Sequence, residues 1–361
     1  MFQKVKKLVR FLKNLELLPG IDQKLNKLSL LLDYKDVTQA FAPHSTLTAI
    51  EIAKQDVQHD ELTYIPWQGE LLSQKAFSDA IHASDTYCNT KPERQAYIDS
   101  QLPRLYRVFI NLYARRADLR GPVLDVASGW GILYPVFKKY LEATLPYSIA
   151  EMGGYQDVKI DGDAIDGCLF ECEKDTLRYD DASFGLVCFF DCIEHLIVDP
   201  LWPLLEFNRV LKLGGRLVIS TPNAVAALKI LQIGQGENPA TESQIKPGSI
   251  YQRHNREWTP DELKKALQCC GFDNFHYSTN PHTLTETEID VLGKLHVNGQ
   301  VHKPLQYFGF ELIMVAEKVR HVTLNSDLHK DQRWPSWLYT DFDAYRKRPK
   351  VFPINVSDDY S

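Results

Sequence analysis

Val123-Leu124-Asp125-Val126-Ala127-Ser128-Gly129-Trp130-Gly131 reads as a short apolar strand running into a two-glycine bend. A helical pattern follows from Ile132 to Leu141. Further strand-like runs are Tyr147 to Met152, Gly167 to Cys172, Phe184 to Asp191 and Arg216 to Thr221. Helical patterns lie between some of them, notably Pro200 to Leu211. Strand then helix, repeated, with apolar rather than alternating strands, predicts an α/β fold with a parallel sheet covered on both faces. Thr259-Pro260-Asp261-Glu262 opens another helix with an N-cap threonine and an N1 proline. Phe275 to Ser278 and Phe310 to Ala316 add two strands.

In such a sheet, ligands bind beyond the carboxyl ends of the strands, where the strand order reverses. Gly129 and Gly131 stand at that end of the first strand, and glycine lets a ligand approach the backbone closely. A dinucleotide site asks for a third glycine where this chain has Tyr134. Asp125 would also repel a pyrophosphate, but it suits a ligand that carries an ammonium group. Ribose hydroxyls call for a carboxylate at the end of the second strand. Glu151, 22 residues after Gly129, meets that; Asp161 lies too far along.

Four stretches together resemble the class I S-adenosylmethionine-dependent methyltransferases. They are the glycine bend, Asp175 to Phe184, Asp191-Cys192-Ile193-Glu194-His195-Leu196, and Glu206 to Gly215 with Ser220-Thr221-Pro222-Asn223. The likeness runs from Val123 to about Lys318. It is closest to enzymes found with polysaccharide biosynthesis, and it extends to the ubiquinone-type small-molecule branch. The resemblance implies a Rossmann-like, seven-stranded, mostly parallel sheet and S-adenosyl-L-methionine as cofactor. By the same resemblance Asp125, Gly129 and Gly131 hold the methionine end, Glu151 the ribose, and Glu171 and Cys172 the adenine, with Ala127 and Asp191 completing the set. The chain departs from the family at Ala127, where glycine is usual and a slightly less tight turn is expected, and at Gly185, where aspartate is frequent.

Methyl transfer to oxygen needs an aligned hydroxyl and a base for its proton. His195, after the fourth strand, is one candidate. His254 is the other; it lies in Tyr251-Gln252-Arg253-His254-Asn255-Arg256-Glu257-Trp258, the end of a long polar insertion, 222–259, read as a lid. Asp191 and Glu194 could instead hold a divalent metal, but two carboxylates in one turn are more often solvated or capping, so no metal is expected. Glu194, Tyr251, Asn255 and Arg256 are expected at the acceptor, since such groups suit a polyhydroxylated or anionic molecule. The alternative for Arg256 is a plain salt bridge to Glu257 that fastens the lid. The function expected is O-methylation of a sugar or glycan intermediate. The alternatives are methylation of a quinone or phenol, which asks for an apolar pocket, and a cofactor-binding scaffold without chemistry.

The chain has 361 residues, 44% hydrophobic and 24% charged, with a net charge of -6. These are globular values, and they exclude a protein coated in basic charge for nucleic acid. No apolar run approaches the ~18 residues of a membrane span. The seven cysteines are too few and too apolar in setting for a disulfide scaffold, and they read as buried free thiols. With a start lacking a secretory signal, a cytoplasmic protein is expected. Three regions are expected: a helical extension over 1–95, a methyltransferase domain over 96–320, and an aromatic extension over 321–361 that packs on the body. Residues 1–18 read as a basic amphipathic helix. It either lies on an anionic membrane face or docks on its own domain or on a second copy.

Overall fold

The computed structural model describes residues 58–59, 62–152, 158–244, 250–322 and 337–338. The basic stretch 1–18 and most of 321–361 lie outside these residues.

Among the described residues ten strands form the sheet: β1 (Gln58–His59), β2 (Leu62–Tyr64), β3 (Val123–Val126), β4 (Tyr147–Glu151), β5 (Val158–Ile160), β6 (Asp163–Leu169), β7 (Phe184–Phe190), β8 (Leu211–Pro222), β9 (Phe272–Ser278) and β10 (Glu311–Lys318). Their order is β1-β2-β9-β10-β8-β7-β3-β4-β6-β5. The strands β6, β4, β3, β7 and β8 run parallel. β10 is antiparallel to both its neighbours, β8 and β9. The sheet therefore exceeds the seven strands expected. The extra strands are at its edges: β1 and β2 beyond β9, and β5 beyond β6.

The edge strand β5 turns into β6 through Asp161-Gly162, both with positive φ (52° and 79°). Two left-handed residues in a two-residue loop match the twist of the flanking strands, which is why Asp-Gly serves here. Strand β6 thus begins at Asp163, four residues before the apolar run suggests. The region before residue 96 is likewise not wholly helical, since β1 and β2 belong to the sheet. The expected boundary at 95 falls inside the helix Pro92–Ala114.

Period-two alternation divides the core into two layers. Leu124, Val126, Val187 and Phe189 point to one face, with Leu201, Leu204, Phe207, Leu263 and Leu267 packed on them. Val123, Leu186, Cys188 and Phe190 point to the other, against Phe77, Leu105, Phe109, Val136 and Phe137. The first face carries α5 (Leu201–Val210) and α7 (Pro260–Cys269). The second carries α1 (Gln74–His82), α3 (Pro92–Ala114) and α4 (Tyr134–Tyr140). The remaining helices are α2 (Asp85–Cys88), α6 (Ala227–Gln235) and α8 (Glu286–Val297). The start of α7 is the capping box that its sequence announces: Thr259 Oγ1 accepts from Glu262 N–H, and Glu262 accepts from Thr259 N–H, both at 3.1 Å.

Gly185 has a steric reason. A Cβ at this position would sit 1.8 Å from the Arg120 carbonyl oxygen. Backbone cannot yield as a side chain can, so Gly185→Ala should destabilise the protein by about 3 kcal/mol or more. Urea unfolding of the variant measures it, and a loss under about 1 kcal/mol would contradict the close approach.

Candidate functional site

β3 and β7 are adjacent, and the chain leaves them in opposite directions across the sheet, so the order reverses between them. The bend after β3 is left-handed at four successive or near-successive residues: Ala127 (φ 56°), Gly129 (59°), Trp130 (68°) and Gly131 (73°). Ala127 thus adopts the conformation that glycine would, and the turn is no less tight for it. The cost is on the order of 1 kcal/mol. The bend is held by one carboxylate. Glu151 Oε1, at the end of β4, accepts from Ser128 Oγ at 2.6 Å and from Trp130 N–H at 3.1 Å. Ser128 Oγ in turn accepts from Gly131 N–H at 2.9 Å. Burial pushes the Glu151 carboxyl up, against these hydrogen bonds. Arg94 lies 3.6 Å over the Trp130 ring and covers the bend from outside.

Below the bend is a cavity of about 260 Å³. Ala127, Glu151, Glu171, Cys172, Asp191, His195 and Tyr251 all line it. Seven of the expected residues, from five segments, therefore share one space. Met152, Phe170, Glu173, Cys192 and Leu196 also line it, and the sequence reading missed them. Glu173 Oε1 accepts from the backbone N–H groups of Ile197, Val198 and Asp199 at 3.0, 2.6 and 2.7 Å. Three amides on one buried oxygen fix the loop after β7.

A smaller cavity, about 70 Å³, lies on the other side of Ala127. Asp125, Ser128 and Gly129 line it together with Tyr97, Gln101 and Arg104 of α3. Gly131 lines neither cavity; a Cβ there would meet Ile160 Cδ1 at 2.6 Å, so its role is in the turn. Asp161 is occupied on its hairpin, where it accepts from Asp85 N–H at 2.8 Å. Arg104 pairs with Asp191, whose Oδ2 also accepts from Ser220 Oγ at 2.9 Å. No motif pointed to Arg104; its signal is a charge beside Leu102, Leu105 and Tyr106 on a buried helix face.

Asp125 is 1% exposed and accepts from the Tyr147 hydroxyl. Burial pushes its carboxyl up to about 8, against the lowering effect of that hydrogen bond. Unfolded, the group titrates near 4. Between about pH 4 and pH 8 the folded protein holds a proton that the unfolded chain has shed. Its contribution to stability is complete below about pH 4 and is lost as pH rises through about 8. Asp125→Asn should flatten this decline and be more stable than the parent at pH 8, by on the order of 2 kcal/mol. Urea unfolding at pH 5 and pH 8 checks this; parallel pH profiles for the two proteins would refute it.

The turn after β7, Ile193–His195, is stitched to the lid. Asn255 N–H donates to Glu194 O at 2.7 Å, and Asn255 Nδ2 donates to His195 O at 2.8 Å. Asn255 is therefore a clamp. His254 arrives beside His195, with ring centroids 4.9 Å apart. Glu194 is 1% exposed beneath them, and burial pushes its carboxyl up to about 7. The two candidate bases, far apart in the chain, thus form one cluster with Glu194. Arg256 is turned away. It donates to Glu262 at 2.8 Å and lies between Trp258 and Trp337, 5.1 and 5.2 Å from the two ring centres. The alternative Arg256–Glu257 pair does not form either; Glu257 pairs with Lys229. Arg256 thereby fastens the lid to the C-terminal segment rather than facing an acceptor.

Residues 98–277 match the family model described as Methyltransferase domain. No curated protein matches the chain significantly. Among solved structures, a chain from the complex of a Haloferax volcanii methyltransferase with its activator is 14% identical, with 63% of this chain and 96% of that one covered and a TM-score of 0.39. A SAM-dependent methyltransferase from Archaeoglobus fulgidus is 15% identical, with 57% and 93% covered and a TM-score of 0.37. A Bacillus halodurans chain described as a methyltransferase is 18% identical, with 58% and 99% covered and a TM-score of 0.34. No helix among the described residues is long and apolar enough to cross a membrane. Residues 98–277, the stretch that matches the methyltransferase-domain model, supply every wall of the larger cavity.

Proposed function

We propose that this chain transfers the methyl group of S-adenosyl-L-methionine to a hydroxyl of a sugar or glycan intermediate in polysaccharide biosynthesis. The observation that carries the reading is the cluster at one end of the larger cavity: His195 in its wall, His254 from the lid beside it, and the buried Glu194 carboxylate beneath. A hydroxyl acceptor must lose its proton as it is methylated, and bases gathered at the cavity wall suit that need. A quinone or phenol acceptor asks for an apolar surround, which Met152, Phe170 and Leu196 of the same wall also offer, so the reading rests on the bases.

The cofactor supplies a methyl carbon already activated by its sulfonium. The chain has to bind, align and exclude water. In this reading Glu151 takes the ribose hydroxyls, while Phe170, Glu171 and Cys172 flank the adenine. The smaller cavity takes the amino-acid end, with Asp125 facing the ammonium, whose charge would favour loss of the carboxyl's proton, and Arg104 facing the carboxylate. The carboxylates of Glu151, Glu171 and Glu173 in one wall suit a ligand without phosphates.

The test is transfer of label from methyl-tritiated cofactor into panels of nucleotide sugars, glycan extracts, quinols and phenols. Label in an oxygen-linked methyl group on sugar is the expected result. Label confined to the quinol and phenol fractions would overturn the acceptor, and no label in any fraction would favour a scaffold.

A further inference from the structure

We infer that Glu194, His195 and His254 hold a divalent transition ion of the zinc type. One ligand atom from each of the three residues lies within 4.8 Å of the others. Ligand atoms about 2.0–2.2 Å from one tetrahedral ion stand roughly 3.3–3.6 Å from one another, so the three side chains are gathered near that spacing and would draw in to grip the ion.

Proximity alone would not distinguish a metal site from a chance cluster; the second layer does. His195 Nδ1 is 3.0 Å from the Arg253 carbonyl oxygen. A carbonyl only accepts, so Nδ1 carries the proton and Nε2 the lone pair. His254 Nδ1 is 3.3 Å from Glu257 Oε1, which sets the same tautomer. An imidazole whose far nitrogen is fixed by a carbonyl or a carboxylate is the arrangement that orients metal-binding histidines. The third observation is independent of both. Glu194 is 1% exposed, and its Oε2 has no hydrogen-bond partner. A buried carboxylate oxygen without a donor is costly, and a bound cation removes the cost.

The set is also held in place. Glu194 and His195 are neighbours in one short turn, and Asn255 ties that turn to the lid that carries His254. Two imidazoles with one carboxylate are the ligands of a catalytic zinc site, whereas magnesium and calcium prefer oxygen alone. The charges facing Glu194 are Arg104, Lys229 and Glu242, and Lys229 is itself paired with Glu257. His195 lines the larger cavity, so a further ligand to the ion would come from the acceptor; with the ion bound the two imidazoles would be ligands rather than free bases, and the acceptor hydroxyl would be acidified by the ion instead. That last step rests on the methyl-transfer reading; the ion site does not.

Cobalt(II) is the probe, because its visible absorption reports its ligands. Titrated into the purified full chain, it should bind one equivalent, give a visible band, and be displaced by zinc but not by magnesium. His254→Ala and Glu194→Gln should each weaken uptake by at least about 100-fold, more than loss of a supporting hydrogen bond would. S-adenosylhomocysteine binding by the same variants shows that they are folded. No uptake by the parent, or uptake that survives both substitutions, overturns the site. S-adenosylhomocysteine binding without metal uptake would sink the ion alone, while metal uptake without S-adenosylhomocysteine binding would sink the methyl-transfer reading alone.

Discussion

Glu151→Ala should weaken binding of S-adenosylhomocysteine by about 100-fold or more. Two losses combine. The carboxylate offered to the ribose disappears, and hydrogen bonds to a charged group contribute about 1.5–3 kcal/mol each. The bend also loses the oxygen that Ser128 and Trp130 share, so the left-handed run from Ala127 to Gly131 is no longer held to β4. Each positive φ at Ala127 and Trp130 is unfavourable by itself and persists because the surroundings enforce it. Glu151→Gln keeps an accepting oxygen for the bend but offers a weaker partner to the ribose, so a loss of only about tenfold is expected. Calorimetric titration measures both variants. If the alanine variant binds within threefold of the parent, the ribose assignment is wrong.

The parts that sequence made legible are those governed by local rules. The apolar run of β3, the glycine bend and the capping box at Thr259 each depend on residues within a few positions of one another. Glu151 was legible for a similar reason, because strand–helix–strand geometry fixes how far along the chain the next strand must end. The Asp161-Gly162 hairpin was equally local, yet the apolar run after it masked it, so β5 and the true start of β6 went unread. The edge strands β1 and β2 have too few residues to show a period.

What the sequence could not show is which distant groups meet. Arg256 and Glu257 are adjacent and opposite in charge, but adjacent lid residues point apart, and each found another partner: Glu262 and Lys229. Asn255 looked like an acceptor ligand because its amide suits hydroxyls, yet it donates to the carbonyl oxygens of Glu194 and His195 in the turn after β7. His195 and His254 were both singled out as bases, and only the folded lid makes them a pair. The residues at the smaller cavity were least legible. Tyr97, Gln101 and Arg104 come from a helix that precedes the first motif, where no pattern marks a ligand.

Arg104→Ala should damage both the stability of the protein and its donor site. Its guanidinium is paired with Asp191 and also faces Glu194 and Glu311, and burial lowers its own proton affinity. Removing it leaves Asp191 at the wall of the larger cavity with Ser220 Oγ as its remaining side-chain donor, and leaves Glu194 without a nearby cation on that side. Breaking one partner out of a buried pair costs about 3–5 kcal/mol; with the Arg104 side chain 28% exposed, about 2–4 kcal/mol is the better expectation. A double-mutant cycle with Asp191→Ala separates the pair from the packing of the arginine stem. If the ion pair is the cause, the two substitutions together should be less damaging than the sum of the two alone, with a coupling of about 2 kcal/mol. Near-additive effects, with a coupling under about 0.5 kcal/mol, would assign the loss to packing on α3 instead. The same variants report on the donor site. Asp191 occupies part of the guanidinium, so Asp191→Ala should leave more of it for a ligand carboxylate, whereas Arg104→Ala should weaken S-adenosylhomocysteine by about tenfold or more. Opposite signs from the two partners of one salt bridge would place Arg104 at the carboxylate end of the donor, a result that a purely structural pair could not give.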